Sequence, residues 1–362
     1  MMKRRNVLTA AGALALAACA QEQQGCESGE ADARFSYKMV TSWPPNFPGV
    51  GTGVVKLADY IRAASGGRLN VKVYAAGELI PPFEVFDAVS RGTADIGHGA
   101  AYYWKGQSEA GQFFTAIPFG MTAQEMNGWL YYGGGLELYR ELYAPHNLIP
   151  FPAGNTGVQM GGWFNKEINT LADLQGLKMR IPGLGGEVLR RAGGTPVTLP
   201  GAEIFTALQT GSIDATEWIG PYNDISFGLH KAARYYYYPG WHEPGPVLEC
   251  IVNRAAFEAL PDDLQAIVEI SCSAINDQMT AEYTARNAAS LQQLKQEDDI
   301  EIRPFPADVL RQLRNLTDEV VADLAAVNPL AARINESFQA YRKSVGEWTA
   351  ISEHAILNTR VL

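Results

Sequence analysis

RFSYKMVTSWPPNFPGVGTGVVKLADYIRAASGGRLNVKVYAAGELIPPFEVFDAVSRGTADIGHG, residues 34–99, carries the alternation from which the fold class is read. Phe35, Tyr37, Met39 and Thr41 recur every second residue, the period of a strand. A Pro/Gly loop, Trp43–Gly53, leads into a helical pattern with Val54, Val55, Leu57, Ala58 and Ile61 on one face. Ser65-Gly66-Gly67 is a helix-stop signal. Leu69–Tyr74 alternates again, Pro81–Arg91 is helical with Gly92 just beyond it, and Ala94–Gly99 reads as a short strand. Strand, helix, strand, helix, strand predicts an α/β fold with a largely parallel sheet.

A second α/β unit starts near Gly154. Val158–Asn165 is strand-like, Leu177–Ile181 alternates, Gly185–Arg191 and Ala202–Gln209 are helical, and Ile213–Trp218 is a strand. Phe86–Asp95 (FDAVSRGTAD) echoes Phe205–Asp214 (FTALQTGSID). Both read as helix, glycine cap, aspartate, then strand. The echo is too short for a tandem repeat but fits two lobes, each aiming a strand end at one cleft, where open α/β sheets bind ligands. His98–Trp104 and Glu217–Tyr222 are then expected to face each other. From Pro261 onward the pattern is helical. Leu264, Ile267, Val268, Ile275, Met279 and Tyr283 mark one long helix, and helices at about 307–326 and 329–347 follow, with Asn328-Pro329 between them.

The 362 residues suit about two domains. With 47% hydrophobic and 19% charged residues the composition is globular, which excludes a disordered or collagen-like chain. A formal charge of -10 argues against nucleic acid as a partner, and against a basic patch on anionic lipid. Cys250 lies in an apolar run and Cys272 in a helical one, so both read as buried side chains rather than a disulfide pair. No CxxC motif or ligand-spaced histidine group suggests zinc or redox chemistry.

The amino terminus reads as an export signal over residues 1–18. Lys3-Arg4-Arg5 precedes an apolar run too short for the roughly 20 residues of a membrane span. The paired arginines point to the twin-arginine route, although Ser is missing before them and Phe after. Leu16-Ala17-Ala18-Cys19 resembles a bacterial lipobox, with Cys19 as the lipidated residue; ordinary cleavage after Ala18-Cys19-Ala20 is the alternative. Residues 19–33 form a polar tether. The expected location is the periplasm, with membrane contact only through that anchor.

Candidate chemistry concentrates between residues 155 and 245. Arg180 sits in a strand-like segment, where its planar fork can hold a carboxylate or simply face solvent. Glu217 closes the second echo, Glu243 lies in the rigid loop Pro239–Pro246, and Gln159 offers an amide oxygen. Two carboxylates and an amide oxygen are hard ligands suited to Na+ or Ca2+, though scattered acids are usually solvated. Gly183-Leu184-Gly185-Gly186 before a helix reads as a turn more than an anion site. Tyr235–Tyr238 alternates as a strand, half of it core. There is no nucleophile elbow, HExxH motif or P-loop.

Gly157-Val158-Gln159-Met160-Gly161-Gly162-Trp163-Phe164, Lys166-Glu167-Ile168 and Asp173–Ile181 (DLQGLKMRI) together resemble the extracytoplasmic solute receptors of tripartite ATP-independent periplasmic (TRAP) transporters. The resemblance runs over roughly residues 35–350. It implies a two-lobed periplasmic binding protein fold with mixed sheets, hinge strands and a long C-terminal helix. Lobe I would comprise 34–153 plus 247–362, and lobe II 154–246. It also implies that Arg180 clamps the ligand carboxylate, and that TRAP membrane subunits are the partner.

Many C4-dicarboxylate receptors of the family carry Glu-Asn-Pro where this chain has Glu217-Trp218-Ile219-Gly220-Pro221. The Trp form, with the tyrosine run and Glu243 downstream, resembles the α-keto-acid and lactate receptors. That likeness implies a small 2-oxo or 2-hydroxy monocarboxylate bridged by a metal ion. The implied ion ligands are the Gln159, Glu217 and Glu243 side chains and the Trp218 carbonyl. The Trp218 indole and a tyrosine from Tyr102-Tyr103 would complete the pocket. With two glutamates, one ligand carboxylate and Arg180, the site sums to -1 with Na+ and to zero with Ca2+. Charge therefore leans to Ca2+, while the subfamily leans to Na+, the expected ion, with Ca2+ as the alternative. An enzyme on the same scaffold would need a free general base; both glutamates are committed as ligands and no histidine is expected beside them. The C-terminal helices offer a homodimer surface, or else brace the lobes.

Overall fold

The computed structural model describes residues 33–360. The signal, the lipobox at Cys19 and all but the last residue of the tether lie outside them. Among the described residues eleven strands form two mixed sheets. In chain order they are β1 (Phe35–Thr41), β2 (Leu69–Tyr74), β3 (Ile96–Gly99), β4 (Leu148–Asn155), β5 (Gly162–Phe164), β6 (Lys178–Arg180), β7 (Thr195–Val197), β8 (Ala215–Thr216), β9 (Tyr235–Tyr238), β10 (Val247–Asn253) and β11 (Glu301–Pro304).

The first sheet has the order β2-β1-β3-β10-β4, and the second β11-β9-β5-β8-β6-β7. β1 runs parallel to β2 and β3, as the opening stretch predicts, and β10 inserts antiparallel between β3 and β4. The chain leaves the first sheet at Asn155 and re-enters at Val247, where these two residues are in register. It crosses again later. β11, within the stretch expected to serve lobe I, pairs in parallel with β9 of the second sheet.

The helix Val50–Ala64 covers the first sheet with Val54, Leu57, Ala58 and Ile61 buried. Val55 was expected on that face but is 46% exposed, because one residue along a helix turns the side chain away. The second predicted helix starts late, at Val85 rather than Pro81. Pro82 disfavours helical geometry at the residue before it, and Pro81–Glu84 closes a turn instead.

Two predicted strands shrink for a reason that matters to the site. Of Val158–Asn165, only Gly162–Phe164 pairs; Gly157 adopts φ 69°, and Met160 donates its N–H to the Ile219 carbonyl. Of Ile213–Trp218, only Ala215–Thr216 pairs. Both segments lie next to central strands of the sheet, and where pairing stops they supply Gln159 and Trp218 to the cleft.

Tyr236 and Tyr237 are both buried, so half of the tyrosine run is core, but as neighbours rather than alternates. The sheet is covered on both faces there: Tyr236 stacks on Trp163 and Tyr237 on Phe305. The long helix spans Asp262–Leu294, 33 residues. It lies so close to its neighbours that a Cβ on Gly53 or Gly154 would meet Met279 at 2.5 and 2.7 Å. Helices Ala307–Ala325, Pro329–Ile351 and Glu353–Thr359 follow. Cys250 and Cys272 are buried free thiols. No helix among the described residues is long and apolar enough to cross a membrane.

Candidate ligand and ion site

β6 and β8 run parallel with Arg180 opposite Thr216. This register sets Arg180 at one strand end and Glu217 just past the other, and the Glu217 N–H donates to the Arg180 carbonyl at 3.2 Å. Both side chains are 1% exposed and form an ion pair through Arg180 Nη1 and Glu217 Oε1. The rest of the guanidinium is oriented too. Nε donates to the Leu199 carbonyl at 3.2 Å, Nη2 reaches the Tyr103 hydroxyl at 3.4 Å, and the group lies 5.1 Å from the Trp218 ring.

The loop after β9 brings in Glu243. Gln159 Nε2 donates to Glu243 Oε2 at 2.7 Å and to Thr156 Oγ1 at 3.2 Å. The opposite end of that amide, Oε1, is buried with no partner. Burial, and then the neighbouring Glu217 carboxylate, push the Glu243 carboxyl well above the usual range. The side chains close around a small cavity of about 10 Å³ lined by Tyr102, Tyr103, Gln159, Arg180, Trp218 and Glu243, with Glu217 paired to Arg180. The structure thus gathers the expected ligand and ion residues at one place, and Tyr102 and Tyr103 of the first expected segment share the cavity with Trp218 and Ile219 of the second.

Two buried acid groups face one guanidinium, and ionising Glu243 as well as Glu217 in a water-poor pocket is costly without a cation. An unpartnered amide oxygen beside them supplies a neutral hard donor. This donor set fits Na+ or Ca2+.

His242 overturns the expectation that no histidine accompanies the glutamates. Its Nε2 lies 3.3 Å from Glu217 Oε2, and one ligand atom each from Glu217, His242 and Glu243 fall within 4.8 Å of one another. The signal was adjacency: His242 precedes Glu243. Sequence spacing looks for histidines near other histidines and passes over one placed by a turn.

Trp43 was also missed, because it sits in what reads as a Pro/Gly loop. It lines the cavity and meets Trp218 edge-on at 6.5 Å between ring centroids. His98 holds its indole: Trp43 Nε1 donates to His98 Nδ1 at 2.8 Å, so the proton on Nε2 goes to the Ala153 carbonyl at 3.0 Å. Burial lowers the His98 pKa to about 4. A lowered value means the neutral ring stabilises the fold fully above the unfolded pKa of ~6.5 and progressively less as pH falls toward 4, about 3 kcal/mol in all. Urea unfolding of wild type and His98→Gln at pH 7 and pH 4 measures this: the stability gap between them should narrow by about that amount on acidification.

The family model for bacterial extracellular solute-binding proteins, family 7 (DctP), matches residues 39–328. The chain belongs to this family of TRAP solute-binding proteins. This solute-binding protein is 41% identical over 357 residues, 97% of both chains, to a monocarboxylate 2-oxoacid-binding periplasmic protein of Nostoc sp.. A TRAP periplasmic solute-binding protein from Colwellia psychrerythraea, with bound calcium and pyruvate, superimposes with TM-score 0.88 at 41% identity, covering 90% of this chain and 99% of that one. One from Pseudoalteromonas atlantica, with bound sodium and pyruvate, gives 0.87 at 43% identity over the same shares. The two-lobed fold and its long C-terminal helix are therefore those of the family.

Proposed function

We propose that this receptor takes up a small 2-oxo or 2-hydroxy monocarboxylate of the pyruvate or lactate class together with one hard cation, closes its lobes, and hands the acid to a TRAP membrane permease. The observation that carries the reading is the unpartnered Gln159 Oε1, on an amide bonded to Glu243 and lining the same cavity as Arg180, which pairs with Glu217. One pocket offers a guanidinium for a carboxylate and oxygen donors for a cation, and an acid with a second oxygen at its α-carbon can satisfy both. In this reading Arg180 clamps the carboxylate. Gln159, Glu217, Glu243 and the Trp218 carbonyl hold the ion, and the Trp218 indole with Tyr102 and Tyr103 encloses the acid. Pyruvate-bound relatives hold calcium in one case and sodium in the other. Na+ remains our assignment, with Ca2+ the alternative on charge. The protein performs no catalytic step.

Lobe I is taken as 34–153 with 247–362 and lobe II as 154–246, with β11 reaching across. The mature chain sits in the periplasm, exported by the twin-arginine route and anchored through Cys19. Intrinsic fluorescence and melting temperature test the binding, since Trp218 and Trp43 border the cavity. Pyruvate, 2-oxobutyrate or lactate should shift both when Na+ or Ca2+ is present, and ion and acid should each tighten the other reciprocally. No response to any of the three acids with either ion would sink the reading.

The C-terminal helices support a homodimer. Trp348 is 65% and Ile351 74% exposed, and Ile356 and Leu357 continue the apolar surface onto the last helix. Large apolar side chains left exposed on two consecutive helices are what an interaction face requires. Sedimentation should give twice the chain mass for wild type and the single mass for Trp348→Asp/Ile351→Asp. A monomeric wild type leaves those helices only a bracing role.

A further inference from the structure

Asp224 lies in the short helix Pro221–Phe227, is 1% exposed, and makes no contact with the cavity. Its carboxylate is held by four donors. Oδ1 accepts from the Ile219 and Gly220 N–H groups at 3.3 and 3.2 Å. Oδ2 accepts from Trp163 Nε1 at 2.9 Å and from the Tyr236 hydroxyl at 2.7 Å. Among the described residues no Lys, Arg or His forms an ion pair with it. A shell made only of donors, built from β5, β9 and the loop between β8 and the helix, is suited to an anion; burial outweighs these donors and pushes the Asp224 carboxyl up to about 7, so the anion holds the site above neutral pH.

The Ile219 N–H is half of a peptide group whose other half is the Trp218 carbonyl. An anion accepting from the N–H end draws positive charge toward itself and leaves the carbonyl oxygen more negative, because hydrogen-bonded dipoles in a dry interior polarise one another. The same loop is pinned from its opposite side, where Met160 N–H donates to the Ile219 carbonyl at 3.0 Å. Met160 follows Gln159 in sequence. One short loop therefore links the amide donor on one side of the cavity with the peptide donor on the other, and Asp224 anchors it to the stacked Trp163–Tyr236 pair, whose ring centroids are 4.0 Å apart.

We propose that Asp224 is a positioning residue for the cation: it aims and polarises the Trp218–Ile219 peptide, and its buried charge favours a divalent over a monovalent ion. This rests on the reading of the site given under Proposed function. Support of this kind behind a metal ligand is worth 10–100-fold in affinity in other proteins. A purely structural role, capping a two-turn helix, would be met by any side chain of the same shape and would not depend on the charge of the ion.

Calorimetric titration with CaCl2 and with NaCl, each at saturating pyruvate and about two pH units above neutrality so that Asp224 is ionised, tests it on wild type, Asp224→Asn and Tyr236→Phe. Electrostatic energy scales with ion charge, so a lost unit charge costs Ca2+ about twice the free energy it costs Na+. Asp224→Asn should weaken Ca2+ about 10–100-fold and Na+ about 3–10-fold. The ratio of the two affinities then falls. Tyr236→Phe keeps both loop hydrogen bonds and, because the titration is run well above neutral pH, the charge, and should keep the wild-type ratio. In Asp224→Asn the new amide N–H faces the Trp163 N–H; if that variant does not fold, Trp163→Phe/Asp224→Asn, with Trp163→Phe as its reference, gives the same readout. Equal losses for both ions, no loss, or an equal fall in Tyr236→Phe overturns the proposal while leaving the receptor reading intact. A wild type that binds neither ion nor pyruvate overturns both.

Discussion

Arg180→Ala should reduce pyruvate binding by a factor of about 30 to several thousand. Truncating one partner of a buried, hydrogen-bonded charge pair costs about 2–5 kcal/mol, and Arg180 is 1% exposed with Glu217 as its partner. The loss has two sources. The acid loses its guanidinium, and Glu217 and Glu243 are left facing each other with no buried cationic side chain between them. Arg180→Lys separates the two. It restores the charge without the planar fork, so it should recover part of the affinity and not all of it. Titration calorimetry with saturating Na+ or Ca2+ reads the effect, and a retained wild-type affinity in Arg180→Ala would remove the clamp role from this residue.

Glu243→Gln should abolish the stabilisation that ions give while making the ion-free protein more stable. These opposite signs follow from one geometry. The glutamine keeps an oxygen to accept from Gln159 Nε2 but loses the buried charge. In the ion-free protein that charge is unfavourable: burial and Glu217 both drive the Glu243 carboxyl toward its neutral form. With an ion bound it is a ligand. A ligand that binds only the folded state raises the melting temperature in proportion to the logarithm of its concentration. Melting scans over a CaCl2 or NaCl series should therefore rise for wild type and stay flat, from a higher start, for Glu243→Gln. A variant whose melting temperature still climbs with the ion would show that Glu243 is not a ligand.

Much of this site is legible in the sequence because its residues lie where regular elements end. Arg180 closes a three-residue strand and Glu217 follows a two-residue one; glycine caps and alternation locate both ends. The long helix is legible because its apolar spacing runs unbroken from Leu264 to Tyr283, within a helix of 33 residues. Trp43 and His242 are not legible. Each is placed by a turn whose partners are far away in sequence, Trp43 by His98 and His242 by Glu217. Asp224 is invisible for a related reason: an acid in a helix's first turn reads as a favourable dipole partner, and nothing local announces the indole and phenol that surround it. β11 joins the second sheet through β9, across more than sixty intervening residues of chain, a pairing that only the tertiary fold decides.

The burial of the cluster also dictates how fast it can exchange. Arg180, Glu217, Gln159, Trp218 and Glu243 are each at most 5% exposed, so in this conformation ion and acid alike are held by side chains that water barely reaches. Both must leave through the same opening motion. A chelator added from outside would then strip calcium at the rate at which the lobes part, and doubling its concentration would not hasten the release.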